Sequence, residues 1–106
     1  MKNYYMSQKK SFNEIDRYCL YFYNNDIVHF LFGFVKYVDL DFTEISGKSR
    51  IQYICNVRYI LCHYLILNAY SIRFIAELLK RDRTTIYHYI KQYEILKEQY
   101  TLKSKL

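Results

Sequence analysis

The chain has 106 residues, which suffice for one domain with a short appendage but not for an ATPase domain or a large catalytic barrel. Proline is absent and glycine occurs twice, so a β-sandwich or barrel would lack its usual turn residues. An apolar content of 52% argues against disorder over most of the chain, and we predict an all-α fold, a small helical bundle.

The charge is unevenly distributed along the chain. Residues 1–47 carry a net charge of −1 and residues 48–106 carry +7, which together give the total of +6. A basic half of this kind favours a polyanionic partner, either nucleic acid or an anionic membrane surface. The most apolar run, residues 27–35, contains His29 and is much shorter than the ~20 residues of a spanning helix.

The three cysteines predict neither a disulfide framework nor a metal site. Cys19, Cys55 and Cys62 are odd in number and form no C-x-x-C pair. Free thiols and the lack of a visible signal peptide favour a cytoplasmic protein. On a helix, Cys55 and Cys62 would lie roughly 10 Å apart, too far for one zinc ion. We expect no metal, no cofactor and no catalytic residues, because no nucleophile with a base is recognisable.

The first half of the chain predicts two helices and a helical turn. Residues 1–12 are polar and expected to be irregular. One helix face is predicted over residues 13–23 by the spacing of Ile15, Tyr18, Cys19 and Phe22. Asp26 is a suitable N-cap for a second helix over residues 27–38. Residues 39–45 predict a short helical turn.

The second half predicts three further helices. They cover residues 49–67, 72–79 and 84–98. The loop at residues 46–49 precedes the first of them. Ser71 can cap the second, and Asp82 can cap the third, where its carboxylate also favours the positive end of the helix dipole. The basic tail, residues 100–106, is expected to be irregular.

The segment at residues 71–90 is typical of a helix-turn-helix. Ala76 allows two helices to cross closely, and Leu79 and Ile86 are expected to pack across the turn. The last helix begins with long donors and short hydroxyls, which suit base edges and phosphates. The alternative is a capped surface helix with solvated charges.

The sequence R-D-R-T-T-I-Y-H at residues 81–88 resembles a known signature. The signature is Arg-Asp-His-Thr-Thr-Val-x-His, from the C-terminal duplex-DNA-binding domain (domain IV) of the bacterial replication initiator DnaA. The resemblance covers about residues 26–97. It implies a Trp-repressor-like helix-turn-helix that docks in the major groove, with a basic loop in the adjacent minor groove. Residues 26–99 would form this domain, residues 1–25 an N-terminal extension with a short amphipathic helix, and residues 100–106 a basic tail.

The resemblance also implies roles for single residues. Asp82, Arg83 and Thr84 would face base edges, and Thr85 and His88 would support binding or touch phosphate. Arg50 would be the minor-groove arginine, a role that the negative potential of a narrow groove favours. The candidate DNA-binding residues are Lys48, Ser49, Arg50, Arg58, Arg73, Arg81, Asp82, Arg83, Thr84, Thr85, His88 and Lys91.

The chain also departs from the family pattern. Arg83 replaces the signature histidine, and arginine prefers the two acceptors of guanine. No glycine-rich nucleotide loop is present, so we expect duplex-DNA binding in replication-origin or transcription regulation without ATPase activity. One alternative is a protein-interaction module that kept the fold, lost base readout, and forms a homodimer or binds a protein through residues 13–23. Another is single-strand or RNA binding through the tyrosines.

Overall fold

Six α-helices build the fold in a computed structural model, which describes residues 9–105 and their side chains as far as Leu102. The helices are α1 (Phe12–Phe22), α2 (Ile27–Val38), α3 (Phe42–Ile45), α4 (Gln52–Leu67), α5 (Ile72–Leu79) and α6 (Arg83–Lys105). Residues 9–105 contain no strand, and the predicted all-α class is confirmed. Within the same residues, no helix combines the length and the apolar character needed to cross a bilayer.

Helix α4 is the centre of the core because apolar residues occur on several of its sides. A helix of this kind is stable only when its neighbours cover it. It contacts α1, α3, α5 and α6. Its most deeply buried apolar side chains are Ile54, Val57, Ile60, Leu61, Cys62 and Leu65.

Helix α1 packs into this core. Ser11 and Glu14 form a capping box at its start, in which each side chain accepts a hydrogen bond from the other residue's backbone N–H. The sequence predicts an irregular segment through residue 12, but Phe12 begins the helix and is buried. Residues 9–11 are irregular as predicted, and residues 1–8 lie outside the described residues. The inward stripe of α1 includes Ile15 and Cys19, so the N-terminal extension shares the core of the residues that follow it.

A close contact joins α1 to α2. A Cβ atom added at Gly33 would lie 2.5 Å from the hydroxyl oxygen of Tyr18. Asp26 caps α2 as predicted, since its carboxylate accepts the backbone N–H of His29. The missing side chain of Gly33 therefore lets the two helices approach.

Helices α5 and α6 follow the predicted pattern at their starts. The Ser71 hydroxyl accepts the backbone N–H of Phe74, and Asp82 Oδ1 accepts that of Thr85 at 2.7 Å. The prediction for the end of α6 is wrong: the helix does not stop near residue 98 but continues to Lys105. Its added turns pack on α1, where the rings of Tyr100 and Phe12 stack at 4.9 Å between centroids. Leu106 lies outside the described residues.

A buried carboxylate connects three of the helices. Asp16 of α1 is 4% exposed. It accepts hydrogen bonds from Tyr64 of α4 at 3.0 Å, from Tyr93 of α6 at 2.5 Å and from Lys97 Nζ at 2.6 Å. A carboxylate is buried at low cost only when such donors surround it.

Replacing Asp16 with alanine should lower the free energy of unfolding by about 3 kcal/mol, because two buried hydroxyls and Lys97 lose their acceptor. Urea denaturation measures the change. Asp26→Ala is the matched control: it removes an exposed cap and should lower the free energy of unfolding by less than Asp16→Ala does. Equal losses in the two variants would contradict the structural role assigned to Asp16.

The stability should also depend on the protonation of His63. Burial lowers the pKa of His63 below its ordinary value of 6.5, and its ring stacks on Tyr93 at 3.9 Å between centroids. The neutral imidazole is thus the form that the fold favours. The contribution of neutral His63 to the free energy of unfolding is fully present above the pKa of the unfolded state. It is lost as the pH falls through the pKa of the folded state.

The variant His63→Phe keeps an aromatic ring and cannot titrate. Between about pH 7.5 and about pH 5.5, the urea midpoint of the parent should fall more than that of the variant. An equal fall in both proteins would show that His63 does not contribute.

Candidate nucleic-acid interface

Arg58 of α4 holds the loop that follows α3. Its guanidinium is buried, with the residue 4% exposed. Nε donates to the Ile45 carbonyl at 2.7 Å, Nη1 to that of Ser49 at 2.7 Å and Nη2 to that of Gly47 at 2.9 Å. In the structure the donors of Arg58, a predicted DNA-binding residue, are directed at backbone carbonyls inside the protein.

Arg81, in the turn between α5 and α6, holds the same loop from the other side. Nη1 donates to the carbonyls of Ser46 at 3.0 Å and Leu79 at 2.9 Å, and Nη2 donates to that of Gly47. Nε donates to the Tyr89 hydroxyl of α6 at 3.0 Å. The side chain is half-buried, and the hydrogen bonds that the structure shows for Arg81, a predicted DNA-binding residue, are made within the protein.

Gly47 lies where these two arginines meet. Its carbonyl oxygen accepts from both guanidinium groups. A Cβ atom at this position would lie 2.8 Å from the Thr43 carbonyl oxygen, and Gly47 does not have a positive φ. Glycine is thus required here by the close approach of the backbone to α3.

A cleft of about 630 Å³ lies between this loop and α6. Exposed Lys48 and Arg50 line it from the loop, Lys80 from the turn and His88 from α6. None of the described residues that line the cleft is Asp or Glu. Positive charges around a concave surface concentrate the field there and attract polyanions.

The first turns of α6 present a continuous polar face beside the cleft. Thr84, His88 and Lys91 are exposed and spaced at i, i+4 and i+7, which places them on one side of the helix. Arg83 and Tyr87 are also exposed and occupy the adjoining stripe. The face carries hydroxyl, imidazole, ammonium and guanidinium groups.

Asp82 and Thr85 form the N-terminal cap of α6. The hydrogen bond from the Thr85 backbone N–H lowers the pKa of Asp82 below its usual value. Asp82 is exposed, but one of its carboxylate oxygens is occupied as the cap of α6. The contact that the structure assigns to Asp82 is this cap.

The structure brings together six of the predicted site residues. Those that line the cleft are Lys48, Ser49, Arg50, Arg58, Arg81 and His88. The remaining residues lie outside its lining: Asp82, Arg83, Thr84, Thr85 and Lys91 at the start of α6, and Arg73 on α5. Arg73 is exposed, and its Nε lies 3.3 Å from Glu77 of the same helix.

The cleft contains four residues that are absent from the predicted set. They are Cys55, Tyr59, Lys80 and Tyr89. Lys80 belongs to the basic run of the turn and could have been found from charge alone. The tyrosines give no such signal in a chain with 14 of them.

The cysteines are free thiols. Cys19 and Cys62 are buried, and burial raises the pKa of Cys62 to about 12. Cys55 is half-buried and lies 3.8 Å from Arg58 Nη1. In the part of the chain that the structure describes, no three His, Cys, Asp or Glu residues are grouped so that they could hold a metal ion.

Comparisons of the chain with protein-family models, with curated proteins and with solved structures find no match. The similarity to the DnaA signature thus stays a resemblance. The function has to be inferred from the geometry of the site and from the chemistry of its side chains.

Replacing Gly47 with alanine should lower the free energy of unfolding by about 1–3 kcal/mol, because the new Cβ displaces the loop from α3. Gly33→Ala is the matched control. Its Cβ meets the end of a tyrosine side chain rather than backbone, and alanine gains about 1 kcal/mol of helix propensity. Urea denaturation compares the two, and a larger loss in Gly33→Ala would contradict the close-approach explanation for Gly47.

Proposed function

We propose that the protein binds double-stranded DNA with a sequence preference, as a helix-turn-helix formed by α5, the turn at residues 80–82 and α6. The observation that carries the proposal is the shared cleft. The basic loop and His88 of α6, which lie far apart in the sequence, line one concave surface whose described lining has no carboxylate, and the polar start of α6 lies beside it.

The width of a single helix and the side-chain chemistry of this surface fit a duplex. The major groove is about 12 Å wide and admits one helix, whose first turns then face the base edges. In this arrangement the exposed side chains of Arg83, Thr84 and His88 meet bases and phosphates. Arg50, on the loop, reaches the adjacent minor groove, where a narrow groove attracts arginine.

The resemblance to the DnaA domain supports the same arrangement. The octet at residues 81–88 spans the turn and the first turns of α6, where the proposal places DNA. Regulation at a replication origin or a promoter is the corresponding biological role. Arg83, which replaces the signature histidine, favours guanine at the position that it reads.

A protein-interaction module is the second candidate, and an apolar groove of about 260 Å³ favours it. Phe32 of α2 is 69% exposed there, and Phe42 and Leu78 complete the wall. In residues 13–23, the other predicted partner surface, Ile15 and Cys19 pack inward, whereas Leu20, Tyr21 and Phe22 are exposed. The occupant in this second candidate is another copy of the chain, because none of the six side chains that line the groove is charged and two copies can meet there without charge repulsion.

Single substitutions on the two DNA-facing elements should have different effects. Arg50→Ala should weaken binding to all duplexes and reduce the slope of log K against log salt by about 1. Arg83→Ala should relax the preference for one base pair, with a loss of about 1–3 kcal/mol on the preferred sequence. Fluorescence anisotropy with a randomised duplex pool, with selected duplexes and with a matched single strand measures both.

Arg17→Ala is the matched control, since it removes an exposed arginine on α1 that does not line the cleft. It should bind like the parent. If both Arg50→Ala and Arg83→Ala also bind like the parent, the assigned DNA face is wrong. If the parent fails to bind duplex at low salt, DNA binding is excluded, and analytical ultracentrifugation then tests the self-associating alternative.

A further inference from the structure

Arg81 contacts every element of the candidate interface. It lies in the turn before α6, and its guanidinium donates to the carbonyls of Ser46 and Gly47 in the loop. The same group donates to the Tyr89 hydroxyl of α6. One side chain therefore joins the basic loop, the turn and the helix.

The loop is also restrained from α4, on the core side. Arg58 holds the carbonyls of Ile45, Gly47 and Ser49 from α4, in the core. Among the side-chain hydrogen bonds described for residues 9–102, those of Arg81 connect the loop to the α5–α6 turn and to α6. The position of Arg50 relative to the DNA-facing side of α6 thus depends on Arg81 as well as on Arg58.

We propose that Arg81 is a positioning residue that couples the basic loop to α6, so that the two elements engage a duplex as one preorganised unit. This inference rests on the proposed DNA binding. Arg81 acts through Arg50 and its neighbours rather than by touching phosphate, because it is half-buried and its donors face backbone carbonyls and a hydroxyl.

The physical basis is the entropy of the loop. A loop that moves relative to α6 must be ordered when both elements contact DNA, and this ordering weakens binding. A loop held in its bound position avoids that loss. The planar guanidinium fork can serve several acceptors at once, which the single ammonium group of lysine cannot do in the same geometry.

The test is a double-mutant cycle between Arg81→Lys and Arg50→Ala. Arg81→Lys keeps the charge but loses the fork. Arg50→Ala should weaken binding about tenfold in the parent and less than about twofold in the Arg81→Lys background, because the displaced loop no longer delivers Arg50. The probe is a fluorescent duplex selected with the parent protein from a randomised pool, and anisotropy is read at two salt concentrations.

A neighbouring cation provides the matched control. Lys80 lies next to Arg81 and lines the cleft with an exposed ammonium group. Lys80→Ala should weaken binding through the loss of charge, and its effect should add to that of Arg50→Ala. If Arg81 positions the loop, the effect of Arg50→Ala on duplex affinity is non-additive with Arg81→Lys and additive with Lys80→Ala. A general loss of positive charge would not produce this difference between the two cycles.

A second variant keeps the positioning role testable if Arg81→Lys does not fold. Tyr89→Phe removes only the hydroxyl that accepts from Arg81 Nε, and its cycle with Arg50→Ala should also be non-additive. Additive effects in both cycles would overturn the positioning role and leave DNA binding intact. Failure of the parent to bind any duplex would overturn the proposed function together with this inference.

Discussion

The carbonyl oxygen of Gly47 accepts hydrogen bonds from two guanidinium groups, and the candidate interface depends on this junction. Arg58 reaches it from the core helix and Arg81 from the turn before α6. Buried or half-buried arginines are costly unless acceptors surround them, and the loop carbonyls provide those acceptors. The loop carbonyls thus stabilise the two guanidinium groups, and the same hydrogen bonds hold the backbone from which Lys48 and Arg50 project.

A second buried charge organises another part of the core. Asp16 draws Tyr64, Tyr93 and Lys97 together and so attaches α1 to α4 and α6. The long α6 takes part in both clusters: Tyr89 meets Arg81, and Tyr93 meets Asp16 one turn later. The helix proposed for the major groove is therefore anchored along its inner face, while Thr84, His88 and Lys91 give its first turns an exposed polar face.

The cationic surface is divided between two kinds of residue. Arg58 and Arg81 line the cleft but direct their donors at loop carbonyls, whereas Lys48, Arg50 and Lys80 line it with exposed charges. Sequence reasoning treats all of these positive groups alike, because charge and spacing do not show which guanidinium finds a carbonyl. The distinction matters for function, since an inward arginine affects binding through geometry and an outward one through charge.

The sequence by itself determined the helical class, most helix boundaries and the caps at Asp26, Ser71 and Asp82, because these depend on residues within a few positions of one another. Only the tertiary structure decided that α1 belongs to the core and that α6 continues to Lys105, since both depend on contacts such as Phe12 with Tyr100. It also decided that Arg58 and Arg81 face inward. The backbone acceptors of Arg58 lie 9 to 14 residues away in the sequence, and those of Arg81 lie up to 35 residues away. Because such distant carbonyls come within reach only in the folded chain, the sequence alone does not show whether an arginine binds them or water.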